Sequence, residues 1–396
     1  MTALLWLLWP FEKDLPWWKG NLHTHSLWSD GDQFPEMITD WYKQRGYHFL
    51  AMSDHRVLAE GEKWFEVPND LEMQNALARY EDRFGSDWVS AEVGDDGVAR
   101  LRLKTLEEYR GLFEEKDRFL ILQAEEITAF FAGMPLHVNA TNIRELIPAR
   151  NGENVLEVLQ KNVDAVLEQR VRSGQPMFPH VPHPNFRWLV TADDLIALDG
   201  DRFFEVYNGH PLANNDGDGS HPSSERIWDT VLTKRLLAGK DAVFALAVDD
   251  AHQYHVEGRH QANPGRGWIM VRATQLTPES IIAAMEAGDF YASTGVELSS
   301  LEQRDGAIEL AIRAEKGVSY STQFIGTRRG RSSGRGIGTV LAEQHGTSAR
   351  YELSGDEIYV RAKIVSSKQK PNPYRLGERE VAWTQPLLAR IIHEGP

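Results

Sequence analysis

Histidines and acids gather at the ends of the short apolar runs that fill the first 290 residues, and no other feature constrains the fold as strongly. The strand-like runs are Trp18–His25, His48–His55, Phe119–Thr128, Leu136–Asn142, Met177–His183, Phe203–Asn208, Val243–Asp250 and Trp268–Ala273. Most are continuously apolar, as strands buried on both faces should be. Helical segments lie between them at Pro35–Arg45, Leu71–Phe84, Leu106–Glu115, Asn154–Arg172, Glu225–Leu237 and Pro278–Ala287. In Asn154–Arg172 the apolar residues Val155, Leu156, Val158, Leu159, Val163, Val166 and Leu167 recur at three- and four-residue steps, which predicts a helix docked outside the sheet. The alternation predicts β/α units around a largely parallel sheet or barrel.

After about residue 295 the pattern changes. Ala307–Arg313, Thr347–Leu353, Glu357–Val365 and Glu380–Trp383 alternate or form short β-rich runs between Gly-, Ser- and Arg-rich turns. The expected units are therefore residues 1–295, α/β, and 296–396, a small antiparallel β domain. Gly326–Gly338 is basic and reads as a solvated hairpin loop. Met1–Pro10 is apolar but has no basic n-region and no small-residue cleavage site, so it reads as a strap on the domain surface rather than an export signal. No run approaches the roughly 18 apolar residues of a membrane span. A cytoplasmic protein without membrane contact is the expectation.

The chain has no cysteine, which excludes disulfides, iron–sulfur clusters and thiolate zinc sites and leaves imidazole and carboxylate as metal ligands. With 43 Lys+Arg against 58 Asp+Glu, the net charge of −15 argues against a nucleic-acid partner. Against that background the titratable residues form an ordered series. His23 and His25 close the first run, Asp54 and His55 the second, Glu125 and Glu126 lie near the end of the third, and His180 and His183 end the fifth. Asp249, Asp250 and His252 end the run before Trp268, while His137 lies near the start of the fourth. Carboxyl ends of parallel strands are where α/β enzymes assemble their sites. So many imidazoles and acids would be costly to bury together without cations.

The ordered set Gly20-Asn21-Leu22-His23-Thr24-His25, Ser29-Asp30-Gly31, Ala51-Met52-Ser53-Asp54-His55, Glu125-Glu126-Ile127, His137, His183-Pro184-Asn185 and Asp249-Asp250-Ala251-His252 resembles the motifs of the PHP (polymerase and histidinol phosphatase) superfamily, with its CehA/McbA-type branch nearest. The resemblance spans roughly residues 18–300. It implies a distorted (β/α)7 TIM-like barrel, followed in that branch by a small sandwich-like β domain, and two or three divalent ions, Mn, Fe or Zn. In that pattern His23, His25, Glu126 and Asp250 bind one ion, and Glu126 bridges to a second held by His137 and His183. Asp30, His55 and His252 hold a third. His180 competes with His183, and Glu125 with Glu126; His183 is preferred for its His-Pro-Asn context and Glu126 for directly preceding Ile127.

A pair of such cations lowers the pKa of a bridging water, whose hydroxide attacks without a protein nucleophile. The expected activity is hydrolysis of a small phosphate mono- or diester; a carboxylic or carbamate ester is the alternative, and a non-catalytic metal-binding module the reading from another class. Asp54 and Asp249 are candidates for orienting imidazoles or shuttling a proton. Arg56 and Arg187 are candidates for gripping phosphate or carboxylate. Glu205, Asn208 and His210 are expected near the mouth, Tyr254, His255 and His260 on the loop after the last ligand, and Arg266 on a turn that could reach the site. Trp28 and Trp188 flank ligand loops and could shape an apolar pocket.

Overall fold

The computed structural model describes residues 15–304 and 306–389; the Met1–Pro10 strap lies outside them. From β1 (Trp17–Asn21) the chain passes through α1 (Pro35–Gln44) to β2 (Phe49–Met52). An excursion follows, of β3 (Trp64–Glu66), α2 (Leu71–Phe84), β4 (Ala91–Val93), β5 (Ala99–Arg102) and α3 (Leu106–Phe113). Next come β6 (Leu120–Phe131), β7 (Met134–Thr141), α4 (Val155–Ser173), β8 (Phe178–His180), α5 (Ala192–Ala197), β9 (Phe203–Asn208), α6 (Ser224–Leu237), β10 (Phe244–Val248), β11 (Trp268–Arg272), α7 (Pro278–Glu286) and β12 (Phe290–Ser293). The remaining strands are β13 (Leu298–Arg304), β14 (Ala307–Ile312), β15 (Tyr320–Arg328), β16 (Thr339–His345), β17 (Ser348–Glu352), β18 (Glu357–Gln369), β19 (Arg379–Thr384) and β20 (Leu387–Leu388).

The helices start where the sequence supplies caps. Asn154 accepts from the Glu157 amide at the head of α4 (2.9 Å), and Gly174 ends that helix in the left-handed region. The apolar face of α4 buries Val158, Leu159, Val163 and Val166. The short helix α5 has a capping box, Thr191 with Asp194, but six residues are too few to show a hydrophobic period.

The sheet departs from the expected barrel. A 12-stranded sheet runs β8-β7-β6-β2-β1-β11-β12-β19-β18-β15-β16 with β20 beside β18, while β9 and β10 form a separate parallel pair. Only β1–β2 and β2–β6 are parallel within the large sheet. β6 and β7 form an antiparallel hairpin, and β11 and β12 continue antiparallel from β1. The hairpin turns at Ala132-Gly133, both at positive φ (50° and 77°), the geometry of a two-residue β-hairpin loop. Single bridges link β8 to β9 (Val181↔Phe204) and the chain after β1 to the chain after β10 (Thr24↔Ala251). Among the described residues no continuous ladder closes the ring.

The large sheet also crosses residue 295, because β12 pairs with β19. The C-terminal strands thus extend the sheet, and β13, β14 and β17 pack over it around Leu301, Leu310, Phe324, Val360 and Ile364. On the opposite side, α6 is tied to β18 by a buried ion pair in which Arg361 donates to both carboxylate oxygens of Asp229, at 2.8 Å each. The Tyr359 hydroxyl adds a bond to Asp229 (2.8 Å). No helix among the described residues is long and apolar enough to cross a membrane.

Two stability predictions follow from buried charge. Arg361→Ala leaves the Asp229 carboxylate buried without its cation, and chemical denaturation should show a loss of about 3–5 kcal/mol. Asp201 is buried and its carboxyl is pushed up to about 7 by burial, with the Phe203 amide and Arg235 opposing. Its folded-state pKa lies above the unfolded value, so the native chain loses stability as pH rises from about 4 to 7. Asp201→Asn should abolish that loss and be more stable than the parent by about 1–3 kcal/mol at pH 8, with little difference at pH 4.

Candidate metal centre

The segment after β1 is wedged in place by backbone and hydroxyl contacts. The His23 amide donates to Asn21 Oδ1 (2.9 Å), Thr24 Oγ1 donates to the Ala51 carbonyl (2.5 Å), and the His25 amide donates to the Ala251 carbonyl (3.0 Å). His23 and His25 thereby flank Thr24 with their ring centroids 5.1 Å apart. The next loop wraps around Asp54, which accepts from the Ser26 amide (2.8 Å), Ser26 Oγ (2.7 Å) and Ser29 Oγ (2.6 Å) and so presents Asp30. Gly31 is required there, since a Cβ would sit 2.6 Å from the His25 carbonyl oxygen.

Glu126 of β6 is the hub. Its Oε2 lies 3.1 Å from His23 Nε2, 3.2 Å from His25 Nε2 and 3.3 Å from His55 Nδ1. Its Oε1 lies 2.9 Å from His137 Nδ1 and 3.2 Å from His183 Nε2. His137 takes part although it begins a strand, because the hairpin folds β7 back and sets His137 opposite Thr128. Asp250 Oδ1 lies 3.2 Å from His23 Nε2 and 3.1 Å from His25 Nε2, while its Oδ2 accepts from Asn208 (3.0 Å). A third group is looser: Asp30 is 3.6 Å from His25, 3.7 Å from His55 and 3.5 Å from His252.

The donors form sets with the spacing of ion shells: His23, His25, Glu126 and Asp250; His55, Glu126 and His137, with His183 adjoining; and His25, Asp30, His55 and His252. In the first set all four nitrogen–oxygen separations are 3.1–3.2 Å. Ligands about 2.0 Å from a tetrahedral ion stand about 3.3 Å apart, so the set fits a first-row divalent cation. His25 is fully buried and neither ring nitrogen makes a hydrogen bond, an orphaned pair that an ion would satisfy. An all N/O set suits Mn, Fe or Zn.

Charge follows the same geometry. Burial opposes protonation of His25, yet Asp250 and Glu126 outweigh it and raise the imidazole to about 10. His55 is driven down to about 3 by burial, with His25 and His137 adding to the effect against Glu126 and Asp30. Glu126 and Asp250 stay ionised against their burial because imidazoles surround them.

Several residues sit elsewhere than their expected roles required. Asp54 and Asp249 touch no imidazole. Asp249 accepts from the amides of Gly265, Arg266 and Gly267 (2.8, 2.6 and 2.8 Å) and from the Tyr42 hydroxyl (2.6 Å), fixing the turn after Asp250. In both, backbone amides and hydroxyls take up the carboxylate oxygens. Arg266 is buried on the carbonyls of Gly209, Gln261, Gly258 and Asn372 and does not reach the cluster. Arg187 is exposed and off the cavity wall, whereas exposed Arg56 lines it. Trp188 stacks on His221 (4.1 Å) away from the cavity, and Trp28 lines it. Glu125 points the other way, accepting from the Ile147 amide (2.9 Å), with its carboxyl pushed up to about 7 by burial. His180, the last residue of β8, faces Glu205 rather than Glu126, while His183 lies beyond the strand at positive φ (25°) and reaches Glu126.

Glu205 does more than line a mouth. Fully buried, it takes His23 Nδ1 (2.8 Å), His180 Nε2 (3.1 Å), the His183 amide (2.8 Å) and Asn208 Nδ2 (2.8 Å). A carboxylate behind a ligating imidazole fixes its tautomer and raises its basicity. The signal was an acid inside the apolar run FEVYN, which must have a partner to be buried. Thr128, which bonds His55 Nδ1 at 2.8 Å, and Lys63 and Phe186 in the cavity wall carried no such signal. The cavity over the cluster holds about 940 Å³, with Trp28, Val57, Phe186 and Leu212 among its apolar lining and Arg56 and Lys63 as cations.

No family model and no curated protein matches the chain. Three of the solved structures similar to it are the following. One, a two-domain protein from Bacteroides vulgatus containing a predicted PHP-like metal-dependent phosphoesterase, overlays with a TM-score of 0.42 at 13% identity, over 95% of this chain and 97% of that one. The others are a candidate metal-dependent phosphoesterase from Bifidobacterium adolescentis (0.30, 14% identity, 63% and 91% covered) and an amidohydrolase from Chromobacterium violaceum with bound sulfate and no metal (0.27, 14% identity, 59% and 87% covered).

Glu205→Gln should keep the fold but weaken affinity for Mn²⁺ or Zn²⁺ about 10–100-fold in competition with a chromophoric chelator, and Glu125→Gln should leave affinity unchanged. Equal effects from the two substitutions would remove Glu205 from the role given to it here.

Proposed function

We propose that the chain is a metal-dependent hydrolase of the PHP superfamily, with the CehA/McbA type as the nearest branch, acting on a small phosphate mono- or diester. The supporting observation is that one carboxylate, Glu126, turns one oxygen to His23 and His25 and the other to His137 and His183. That is the disposition a bridging ligand between two cations needs. In this reading residues 1–295 carry two or three divalent ions within the open α/β layer, and 296–396 form the accompanying β domain. Bound divalent ions supply an activated water at neutral pH and neutralise charge on the attacked group.

The chain's own residues do the rest. His23 is held by Glu205, and Asp250 by Asn208, so neither ligand can swing away. Arg56, exposed at the mouth, offers a guanidinium fork to a phosphate oxygen, and Lys63 adds a second cation to the cavity lining. His210 lines the cavity and is held down at about 4 by burial, with His252, His183 and His25 reinforcing this against Asp250. Its Nδ1 accepts from the Leu212 amide (3.1 Å), which leaves the neutral ring's N–H on Nε2 to donate a hydrogen bond to an oxygen of the substrate.

The apolar residues in the cavity lining favour a second reading, a carboxylic or carbamate ester with a bulky apolar group. A panel of aryl phosphates, aryl esters and carbamates, assayed with Mn²⁺ or Zn²⁺, separates the two. We expect turnover of phosphates, metal near stoichiometric by elemental analysis, and at least a 100-fold loss of kcat/KM in His23→Ala and Asp250→Ala. Turnover of carbon esters alone overturns the phosphoesterase reading, and unchanged turnover in both variants overturns the metal-dependent one.

A further inference from the structure

A second cavity, of about 580 Å³, lies between β9, the start of α6 and strands β18 and β19. Val206, Tyr207 and Trp383 line it from buried positions, and its exposed lining includes Arg375, Gly377 and Arg379. It is separate from the metal-centre cavity, and the hydrolase reading makes no use of it.

Its chemistry is unbalanced. Of the six cations around it, three have acidic partners: Arg361 pairs with Asp229, Lys363 with Glu225, and Arg375 with Asp216 at 2.9 Å. Arg226 donates to the carbonyls of Ile337 and Gly334. Glu378 is taken up by the amides of Tyr374 and Arg375 (3.0 and 3.4 Å). Lys370 is the exception within. It is 6% exposed, donates to the Tyr207 hydroxyl and lies 4.0 Å from the centre of that ring, and no described carboxylate stands within ion-pair distance. An ammonium has three donors, and burying two of them unmet beside one neutral hydroxyl is costly. Arg379, among the exposed lining residues, likewise has no described acidic partner.

We infer that this cavity binds a small phosphate-bearing anion, inorganic phosphate or the phosphate group of a metabolite, which meets the Lys370 ammonium inside and the Arg379 guanidinium near the surface. A phosphate oxygen accepts the two N–H groups that Tyr207 leaves unmet, and an anion of several acceptors suits cations placed at two depths. Asn215, also on the cavity wall, donates to the Tyr374 hydroxyl (3.3 Å) and the Asn208 carbonyl (2.7 Å). Asn208 in turn donates to Asp250, so an occupant would lie a short hydrogen-bonded path from the metal centre.

The test is thermal unfolding of the full chain titrated with inorganic phosphate, on protein as purified and after chelator treatment, which removes phosphate binding to metal ions. A saturable rise in Tm of about 2–5 °C at 100-fold excess over Kd is expected in both. It should be lost in Lys370→Met and reduced at least threefold in apparent affinity in Arg379→Ala. If Lys370→Met does not fold, the exposed Arg379→Ala decides alone. No shift, a shift that disappears on chelation, or an unchanged shift in the folded variants overturns the inference.

Discussion

The Glu126 carboxylate, with five imidazoles within 3.3 Å of its two oxygens, is the contact around which the rest of the α/β layer is arranged. A buried carboxylate is costly without cations or strong donors, and crowded imidazoles repel one another once protonated. Divalent ions relieve both problems, and protons relieve them only in part. The high pKa of His25 and the low one of His55, two rings 4.6 Å apart, record that conflict.

Holding such a group together demands a stiff frame, and the backbone shows what this required. Arg56, His183 and Asp250 all take positive φ (52°, 25° and 50°), which is unfavourable for residues with side chains. Each lies at a ligand candidate or directly after one, where the chain must turn sharply to aim an imidazole or carboxylate inward. Surrounding hydrogen bonds over-determine these turns: the Arg56 amide is bound by the Glu126 carbonyl (3.1 Å), the His183 amide by Glu205 (2.8 Å) and the Asp250 amide by the His23 carbonyl (3.0 Å). Asp54 and Asp249 belong to the same frame, as anions that organise loops.

The C-terminal strands take part in this frame. The segment between β18 and β19 places Asn372 against Arg266, and the backbone amides around Arg266 hold Asp249, the neighbour of Asp250. With the Arg361–Asp229 pair and the β12–β19 ladder, the C-terminal sheet grips the α/β layer at separate points. Removal of residues 296–396 would therefore disturb the turn that carries Asp250.

By itself the sequence determined the positions of most helices and strands, the absence of thiolate chemistry and the identity of the donor types. Those properties are local: caps such as Asn154, apolar periodicity in α4, and histidines in fixed order along the chain carry them. Motif context favoured one donor of each neighbouring pair, and the tertiary structure supplies the geometry that turns it inward. Glu126 rather than Glu125, and His183 rather than His180, meet the cluster because strand parity and one left-handed turn set the direction of each side chain. The open ring and the antiparallel hairpin were also decided at that level, since the two-residue turn at Ala132-Gly133 lacks the usual Asn-Gly signal. Glu205 was visible as an acid in an apolar strand, but its grip on His23 depends on residues 182 positions apart, a separation that no local pattern encodes.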